Sequence, residues 1–342
     1  MGEAQKPLCS EKSEGSGSEG IEGRPKHIPV MVNEVLQFLL TAQRPDNQKA
    51  FFFDGTLGAG GYADALLRAT SPWGVVIGVD KDPYALENCR RRFDRYIRAG
   101  RLYLLHADFR YVDRIVSRVG VDRIHGAVLD LGVSSDQLDD PERGFSFMSD
   151  GPLDMRMNPE DHLTAAHVVN NLSEHELARI FSEYGEERYA RRIARAIVAH
   201  RKEKPIERTQ ELVKVVKSAI PARESRSRIH PATRVFQALR IYVNDELGAL
   251  RDFLSRILDV MAPGAVLCIL SFHSLEDRMV KRAFREWAQP CRCPPEAPMC
   301  TCGNKPGVQI LTKKALFPSP EEVYKNPRAR SGRLRAIRKV GP

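Results

Sequence analysis

Three aspartates each follow a short apolar run of the kind that forms a buried parallel strand; they are Asp54, Asp80 and Asp130. The carboxyl ends of parallel strands lie along one edge of a sheet, and ligands bind in the crevice outside that edge. Carboxylates in such a crevice can accept hydrogen bonds from ribose hydroxyls or balance a positively charged ligand. The positions of these aspartates therefore predict a ligand site at the ends of three strands.

A glycine-rich turn follows the first of these strands, and its sequence is Gly58-Ala59-Gly60-Gly61. Gly58 and Gly60 can adopt backbone angles that a side chain forbids, and they leave room for a ligand against the main chain. Asp80 lies 22 positions after Gly58. This spacing is typical of a nucleoside-binding βαβ unit, in which an acid at the end of the second strand binds ribose hydroxyls.

The glycine turn alone leaves the identity of the nucleoside open. The segment from Gly58 to Ala63 also fits the relaxed fingerprint of dinucleotide-binding proteins, and a glycine turn without a ligand is a third interpretation. Asp54 precedes the turn by four residues, where its carboxylate could meet the amino acid ammonium group of S-adenosylmethionine. A pyrophosphate would gain nothing from this carboxylate, so the pattern favours S-adenosylmethionine.

Further candidate side chains follow the later predicted strands. Asp108 could accept a hydrogen bond from the amino group of an adenine, and Phe109 could cover its ring; the alternative is a loop acid beside a packing aromatic. Ser134 follows Asp130 closely and could be its polar partner. His273 comes directly after a buried strand, so a role in the site competes with a purely structural hydrogen bond.

The elements around these residues predict an α/β fold in three parts. Residues 1–25 are rich in Ser, Gly and Glu without periodicity, which predicts a flexible tail. Alternating strands and helices predict a discontinuous Rossmann-like domain in residues 26–136 and 232–342. Helical periodicity alone replaces this alternation in residues 137–231, which predicts an all-helical insertion.

The helical periodicity gives approximate bounds for the longer helices. Within the insertion they are Glu174–Tyr184, Glu186–Arg201 and Thr209–Ile220. After it, one long helix is expected over Ala232–Met261, ending before Pro263 and Gly264.

The charge of the chain is distributed unevenly. The net charge is +9, yet residues 281–342 carry +10 and residues 185–234 carry +8, which leaves about −9 for the remainder. Two basic zones on an otherwise acidic protein predict binding to a polyanion, for which nucleic acid is the usual candidate. Because no apolar run is long enough to span a membrane and no signal peptide opens the chain, we expect a cytoplasmic protein without a membrane partner.

The seven cysteines include two close pairs, Cys291-x-Cys293 and Cys300-x-Cys302. Four thiolates could bind zinc tetrahedrally, but these pairs are tighter than the common zinc spacing, so a reduced loop remains the alternative and no metal is assigned. An odd number of cysteines without a secretory signal indicates a reducing compartment.

Taken together, the motifs resemble those of the bacterial 16S rRNA (cytosine-N(4))-methyltransferase family, RsmH (MraW), over roughly residues 26–340. The matching segments are, in order, His27–Met31, Asp54–Thr56, Gly58–Gly61, Asp130–Ser135, Gln137–Asp139, Glu142–Phe147, Asp150–Met157, Tyr184–Glu187, His230–Arg234, Ser271–Arg278 and Asn326–Ser331. The resemblance implies a class I methyltransferase sheet with a helical domain inserted after the fourth strand.

The resemblance also implies which residues contact S-adenosylmethionine; they are Gly60, Gly61, Tyr62, Asp80, Phe109, Asp130 and Gln137. Members of the family commonly carry His where this chain has Tyr62. A tyrosine keeps a polar tip at that position, but a contact specific to histidine is lost.

The substrate implied by the resemblance is a cytidine in the decoding region of 16S rRNA, in the small ribosomal subunit, methylated on its exocyclic N4 amino group. From their positions we expect Asp130, Ser134 and His273 to act on the substrate side and the helical insertion to bind RNA. No obligate protein partner is evident. The alternatives are an amino methyltransferase for another nucleic acid, an NAD-dependent oxidoreductase and a non-catalytic RNA-binding module.

Overall fold

A computed structural model describes residues 29–42, 48–221, 230–289, 293, 299, 301–302 and 305–341 of the chain. The tail predicted for residues 1–25 lies outside the described residues. So do Cys291 and Cys300, and the zinc hypothesis that depends on them stays a hypothesis.

The described residues form a seven-stranded sheet in the order β3-β2-β1-β4-β5-β7-β6. Neighbouring strands from β3 to β5 are parallel, whereas β7 runs antiparallel to both β5 and β6. The strands are β1 (Ala50–Asp54), β2 (Gly74–Asp80), β3 (Leu102–His106), β4 (Ile124–Asp130), β5 (Met261–Ser271), β6 (Val308–Ile310) and β7 (Arg333–Lys339). This order places the topological switch point between β1 and β4, where such sheets bind ligands.

Helices cover the sheet and continue into a separate helical layer. Those of the first part of the chain are α1 (Val32–Leu39), α2 (Gly61–Ala69), α3 (Pro83–Arg92), α4 (Asp94–Arg98), α5 (Val112–Arg118) and α6 (Ser135–Asp139). The later ones are α7 (Ala165–Asn171), α8 (Glu174–Glu183), α9 (Ala190–His200), α10 (Thr209–Ala219), α11 (Thr233–Asn244), α12 (Glu246–Val260), α13 (Ser274–Ala288) and α14 (Pro320–Lys325). Short 3-10 turns occupy Phe109–Tyr111, Pro141–Arg143 and Pro327–Ser331.

The sheet is buried on both faces because successive side chains of a strand point to opposite sides. Phe52 packs with α1, α2 and α3 on one face, while Phe53 packs with α5, α12 and α13 on the other. Each face has its own cluster of buried aliphatic residues, so the sheet is the middle of three layers. The predicted class I, Rossmann-like fold with inserted helices is confirmed.

The helical layer has a third core of its own, in which α7, α8, α9 and α10 bury their apolar faces. Helix α9 shows the pattern clearly, because Ile193, Ala194 and Ile197 are fully buried while Arg192 is exposed. Helix α11 packs into the same core. Packing therefore groups α11 with the helical layer, although the sequence division at residue 232 assigns it to the sheet domain.

The prediction of a single helix over Ala232–Met261 is wrong, since the chain forms two helices that meet at Asp245. This residue has a left-handed backbone, with φ 47° and ψ 43°, which ends one helix and starts the next. The Asn244 side chain accepts from Met157 N–H at 2.7 Å and donates to Met155 O at 2.8 Å. These contacts hold the junction between α11 and α12 against a distant loop, which periodicity cannot reveal.

The turn expected at Pro263 and Gly264 instead lies inside strand β5. Proline cannot donate to a sheet ladder, so it is tolerated where the pairing is irregular. The register between β4 and β5 shifts here: Ile124 pairs with Met261, and Gly126 pairs with Val266. The strand therefore begins at Met261, the last residue of the range predicted as helix.

None of the helices in the described part of the chain combines the length and the apolar character needed to cross a membrane.

Gly144 offers a test of the loop that joins the sheet to the helical layer. Its φ is +69°, and a Cβ there would lie 2.1 Å from Pro152 O. Gly100 has a similar φ of +64° with nothing within 4 Å of the added carbon. We expect Gly100→Ala to lower the free energy of unfolding by about 1 kcal/mol, the cost of a left-handed alanine, and Gly144→Ala by about 3 kcal/mol or more, because backbone must also move.

Urea titration followed by circular dichroism measures both variants. Equal losses of unfolding free energy in the two variants would contradict the packing described for Gly144.

Candidate active site

A cavity of about 490 Å³ lies at the carboxyl ends of the strands, beneath the helical layer. It is lined from the sheet side by the ends of β1, β2 and β4 and from the helical side by α11 and the start of α12. Sequence-predicted site residues that line it are Gly61, Tyr62, Asp80, Phe109, Asp130, Ser134 and Gln137. The parallel register of the strands thus brings most of the predicted residues together.

The glycine turn after β1 forms one wall of the cavity. Gly58 adopts a φ of +49° and donates its N–H to Asp80 Oδ2 at 2.7 Å. Gly60, with φ +75°, has a different reason to be glycine, since a Cβ there would lie 2.4 Å from the Phe93 ring. Gly60 is not among the described residues that line the cavity, so its requirement here is close packing behind the turn.

Asp80 holds the turn in place and remains available to a ligand. Its carboxylate accepts from Gly58 N–H and from Asp82 N–H, the latter at 2.9 Å. Burial raises the pKa of Asp80 to about 6, although these two backbone donors oppose the shift. The carboxylate is therefore mostly ionised at neutral pH, as a group that accepts from ribose hydroxyls requires.

Asp54 and Asp130 each have a buried carboxylate oxygen without a hydrogen-bond partner among the described residues, Asp54 Oδ2 and Asp130 Oδ1. Burial is the largest cause that raises the pKa of Asp54 to about 7, and the charge of Asp80 adds to it. Burial and the charge of Asp54 raise the pKa of Asp130 to about 8. Asp130 lines the cavity, whereas Asp54 is fully buried and is not among the described residues that line it. Unpaired buried carboxylates are costly, so both favour a ligand that brings positive charge to this part of the site.

Thr56 connects these two aspartates. Its hydroxyl oxygen accepts from Asp130 N–H at 2.6 Å, and its own N–H donates to Asp54 Oδ1 at 3.4 Å. The end of β4 is thereby fixed against the turn that follows β1.

Tyr62 is the second residue of α2 and is 3% exposed. Its hydroxyl donates to Val30 O at 2.5 Å. Burial, together with the charges of Asp130 and Asp54, raises the pKa of Tyr62 well above its ordinary range. The polar tip therefore ties the start of the described chain to the cavity wall.

Gln137 and Ser134 belong to the short helix α6 that follows β4. Ser134 caps it, accepting from Gln137 N–H at 3.2 Å, while Gln137 Oε1 accepts from Ser134 N–H at 3.1 Å. The Gln137 side chain also donates to Asp82 Oδ2 at 2.9 Å, and Arg143 Nη1 donates to the same oxygen at 2.8 Å. Asp82 thus links the Asp80 turn, helix α6 and the loop leading to the helical layer.

Phe109 lines the cavity and packs edge-on against Phe253, with ring centroids 5.7 Å apart. Asp108 is engaged elsewhere, because its carboxylate accepts from Arg110 Nε at 3.0 Å and lies 3.4 Å from Lys81 Nζ. These contacts favour the interpretation of Asp108 as a loop acid.

His273 caps helix α13, its Nδ1 accepting from Glu276 N–H at 3.4 Å. It is not among the described residues that line the cavity, whereas Glu276 is. Glu246, His273 and Glu276 bring potential metal-ligating atoms within 4.8 Å of one another. The positive charge beside these carboxylates comes from the Arg240 side chain, which donates to both carboxylate oxygens of Glu246, at 2.8 and 2.9 Å.

The sequence reasoning missed Asp82, Arg143, Arg240, Glu246 and Glu276. For Asp82 a signal existed, because an Asp before Pro83 is a typical helix cap and lies two residues after Asp80. The partners Arg143 and Arg240 come from distant loops and helices, and no local pattern identifies them.

Known proteins resemble this chain over most of its length. The family described as the MraW methylase family matches residues 24–340. The "Ribosomal RNA small subunit methyltransferase H" of Geobacter sulfurreducens is 52% identical over 314 residues, which are 92% of this chain and 99% of that protein. Its namesake from Heliobacterium modesticaldum is 50% identical over 315 residues, covering 92% and 98%. A solved rRNA methylase from Streptococcus thermophilus aligns with a TM-score of 0.40 at 11% identity, covering 94% of this chain and 100% of that chain.

Replacing Asp54 should change how stability depends on pH. Because the folded pKa of about 7 exceeds the ordinary value of 3.8, the folded state keeps a proton that the unfolded chain releases. Asp54 therefore lowers stability as pH rises from about 4 to about 7. We expect Asp54→Asn to be more stable than the wild type at pH 8, by about 1–3 kcal/mol, and the difference to shrink at pH 5.

Thermal unfolding of the ligand-free protein at several pH values measures this effect. Asp150→Asn is the control, since Arg208 lowers the pKa of that exposed carboxyl and its loss should give no gain at pH 8. An Asp54→Asn protein that loses stability at every pH would contradict the unpaired state of this carboxylate.

Proposed function

This chain belongs to the MraW methylase family, and we propose that it transfers a methyl group from S-adenosylmethionine to the N4 amino group of a cytidine in the decoding region of 16S rRNA. Family membership supports methylation. The names of the relatives support rRNA of the small ribosomal subunit as the substrate. The cytidine and its position in the decoding region come from the motif resemblance described above.

The observation that carries the proposal is the pair of unpaired carboxylate oxygens on Asp54 and Asp130 beside the glycine turn. S-adenosylmethionine has a positive ammonium group and a positive sulfonium group, and both would balance these carboxylates. A nicotinamide dinucleotide would bring a pyrophosphate to the same carboxylates and be repelled. The cavity residues thus fit S-adenosylmethionine better than they fit the alternative cofactor.

We assign the donor-binding residues as the sequence predicts. Asp80 accepts from the ribose hydroxyls, Phe109 covers the adenine, and Gln137 is held in place by Asp82 for a polar contact. Gly61 and Tyr62 form the wall beside the turn, and Gly60 keeps that wall packed against Phe93. S-adenosylmethionine supplies an electrophilic methyl group when it is bound.

Asp130 organises the acceptor side of the reaction. The lone pair of the cytosine amino group is delocalised into the ring, so the base must be placed in line with the methyl group and must lose an amino proton. Asp130 Oδ1 has no competing donor among the described residues and can accept that proton. Positive charge nearby lowers the pKa of a carboxyl, which returns Asp130 from a value of about 8 towards the ionised, accepting form.

Ser134 and His273 act on the same side through the groups that they fix. Ser134 caps helix α6 directly after the Asp130 loop and so sets the position of Gln137. His273 lies with its Nε2 atom 3.1 Å from Glu276 Oε1, and Glu276 faces the cavity. Both residues therefore position the site in our proposal.

The helical layer in residues 137–231 is the proposed RNA-binding part. Arg191 and Arg192 are exposed on α9, on the side opposite its buried residues. Glu186, just before α9, accepts from Ser274 Oγ at 2.6 Å and pairs with Arg278 at 3.0 Å. This contact joins the segment before α9 to α13, the helix that follows β5.

The arginines after Asn326 contribute less free charge than the sequence indicates. Arg328 pairs with Asp139, and Arg335 pairs with Asp277 at 2.7 Å. Arg330 is exposed and remains a candidate for phosphate contact.

The reaction is tested by transfer of tritiated methyl groups from S-adenosylmethionine to 30S subunits that lack the modification. We expect label in N4-methylcytidine, and we expect Asp130→Ala to lower the rate by about 10²–10⁴-fold, the usual contribution of a positioned proton acceptor. Asp94→Asn, an exposed acid paired with Arg98 on α4, is the control and should transfer normally.

Absence of label on subunits and on free 16S rRNA, despite binding of S-adenosylhomocysteine, would refute the substrate. Binding of NAD in place of S-adenosylhomocysteine would refute the reaction itself.

The proposed RNA surface is tested by the salt dependence of binding to 30S subunits. Each lost phosphate contact lowers the slope of log K against log salt by about 0.7–0.9. The double variant Arg191→Gln/Arg192→Gln should therefore bind more weakly and reduce the slope by about 1–2. Arg90→Gln/Arg91→Gln on α3 removes the same charge elsewhere, and an equal loss in both variants would show a general charge effect rather than a site on α9.

A further inference from the structure

Arg240 is a charged residue of the cavity to which the proposed reaction gives no role. It lies on α11 and lines the cavity together with Glu246 and Glu276. Its Nε and Nη2 atoms donate to the two oxygens of Glu246, at 2.8 and 2.9 Å. Its third nitrogen, Nη1, donates to no other residue in the described part of the chain. One end of the guanidinium is thus fixed, and the other end is open.

The open end points to the edge where the reaction is proposed. Arg240 Nη1 would lie 3.8 Å from a Cβ placed on Gly132, and Gly132 is two residues after Asp130. The Gly132 backbone has a φ of +102°, which favours glycine. Because glycine has no side chain, the space in front of Arg240 Nη1 is open on this side. A hydrogen-bond donor and the Asp130 acceptor therefore meet the cavity at neighbouring positions.

The charge of Arg240 is already balanced. The side chains of Arg240 and Glu246 are 17% and 9% exposed, and Glu276 adds a second negative group nearby. A group whose charge is compensated attracts a phosphate weakly but still donates a directional hydrogen bond. The available Nη1 atom is therefore suited to a neutral acceptor such as a base nitrogen or carbonyl oxygen.

We propose that Arg240 recognises the Watson–Crick edge of the target base and selects cytosine over uracil; this inference rests on the proposed function. Cytosine presents its amino group beside the N3 acceptor. With the amino group at Asp130, Arg240 donates to N3. Uracil presents a carbonyl oxygen to the carboxylate and an N3–H to the arginine, so both contacts become unfavourable.

The double variant Arg240→Gln/Glu246→Gln tests the role of Arg240 without leaving an unpaired buried charge. Two 30S preparations lacking the modification are compared as ligands, one with the target cytidine and one with uridine at that position. We expect the wild type to bind the cytidine form about tenfold more tightly, as one good base contact provides. In the double variant the preference should fall severalfold, to the part that Asp130 retains, with kcat/KM for methyl transfer about tenfold lower or more.

Binding of S-adenosylhomocysteine separates recognition of the base from general damage, and it should stay within about twofold of the wild type. Arg101→Gln is the matched control, since Arg101 is a half-buried arginine that donates to Gly74 O at 2.9 Å and to Leu67 O at 2.7 Å, and it should keep the preference. If the double variant fails to fold by circular dichroism, Arg240→Lys retains a cation for Glu246 without the Nη1 donor, and the same loss of preference is expected.

An unchanged preference for cytidine in a variant that still transfers methyl groups would overturn the inference. So would a loss of S-adenosylhomocysteine binding equal to the loss of transfer, because Arg240 would then support the whole cavity. Failure of the proposed function gives a different result from failure of this inference, because the wild type itself would then transfer no methyl group to the subunits.

Discussion

The concentration of uncompensated negative charge at one sheet edge is the constraint around which the site is organised. Strands β1, β2 and β4 run parallel, so Asp54, Asp80 and Asp130 arrive at the same edge. Burial is the largest cause that raises all three pKa values, and the charge of a neighbouring carboxylate adds to each. Backbone donors oppose the shift at Asp54 and at Asp80, but they do not cancel it. The remaining imbalance makes the edge selective for a positive ligand, and the glycine turn gives that ligand access to the main chain.

A second feature joins this edge to the helical layer. Asp82 is 3% exposed and accepts from both Gln137 and Arg143. Arg143 also donates to Arg156 O and Met157 O, at 3.0 and 2.9 Å, in the segment that leads to the helices. The residue that caps helix α3 therefore also fixes the entrance of the insertion. Because of this shared contact, the geometry of the proposed donor site depends on the position of the helical layer.

The sequence predicted the sheet side of the site well, because each aspartate directly follows an apolar run and a parallel sheet aligns strand ends. It could not predict the contacts that cross the structure. Arg240 pairs with Glu246 across the break at Asp245, where periodicity indicated an unbroken helix. His273 shows the same limit: its position after β5 was predicted, but its place as a helix cap depends on Glu276. The domain division stays a prediction, and the packing of α11 shows that sequence segments and packed layers differ here.

The two ends of the cavity differ in electrostatic character, and this difference bears on the proposed reaction. At the proposed donor end, Asp130 lines the cavity and Asp54 is buried close to the glycine turn. One carboxylate oxygen of each lacks a hydrogen-bond partner among the described residues and gains from added positive charge. On the side of the helical layer, the charge of Arg240 is balanced by Glu246. Arg240 therefore offers a ligand a directional hydrogen bond and little net charge. Loss of the methyl group removes the sulfonium charge from the donor, so the carboxylates lose part of what stabilised them. The arrangement thus favours the charged donor over its neutral-sulfur product, while the contacts of Arg240 with a base depend on hydrogen-bond geometry and not on that charge.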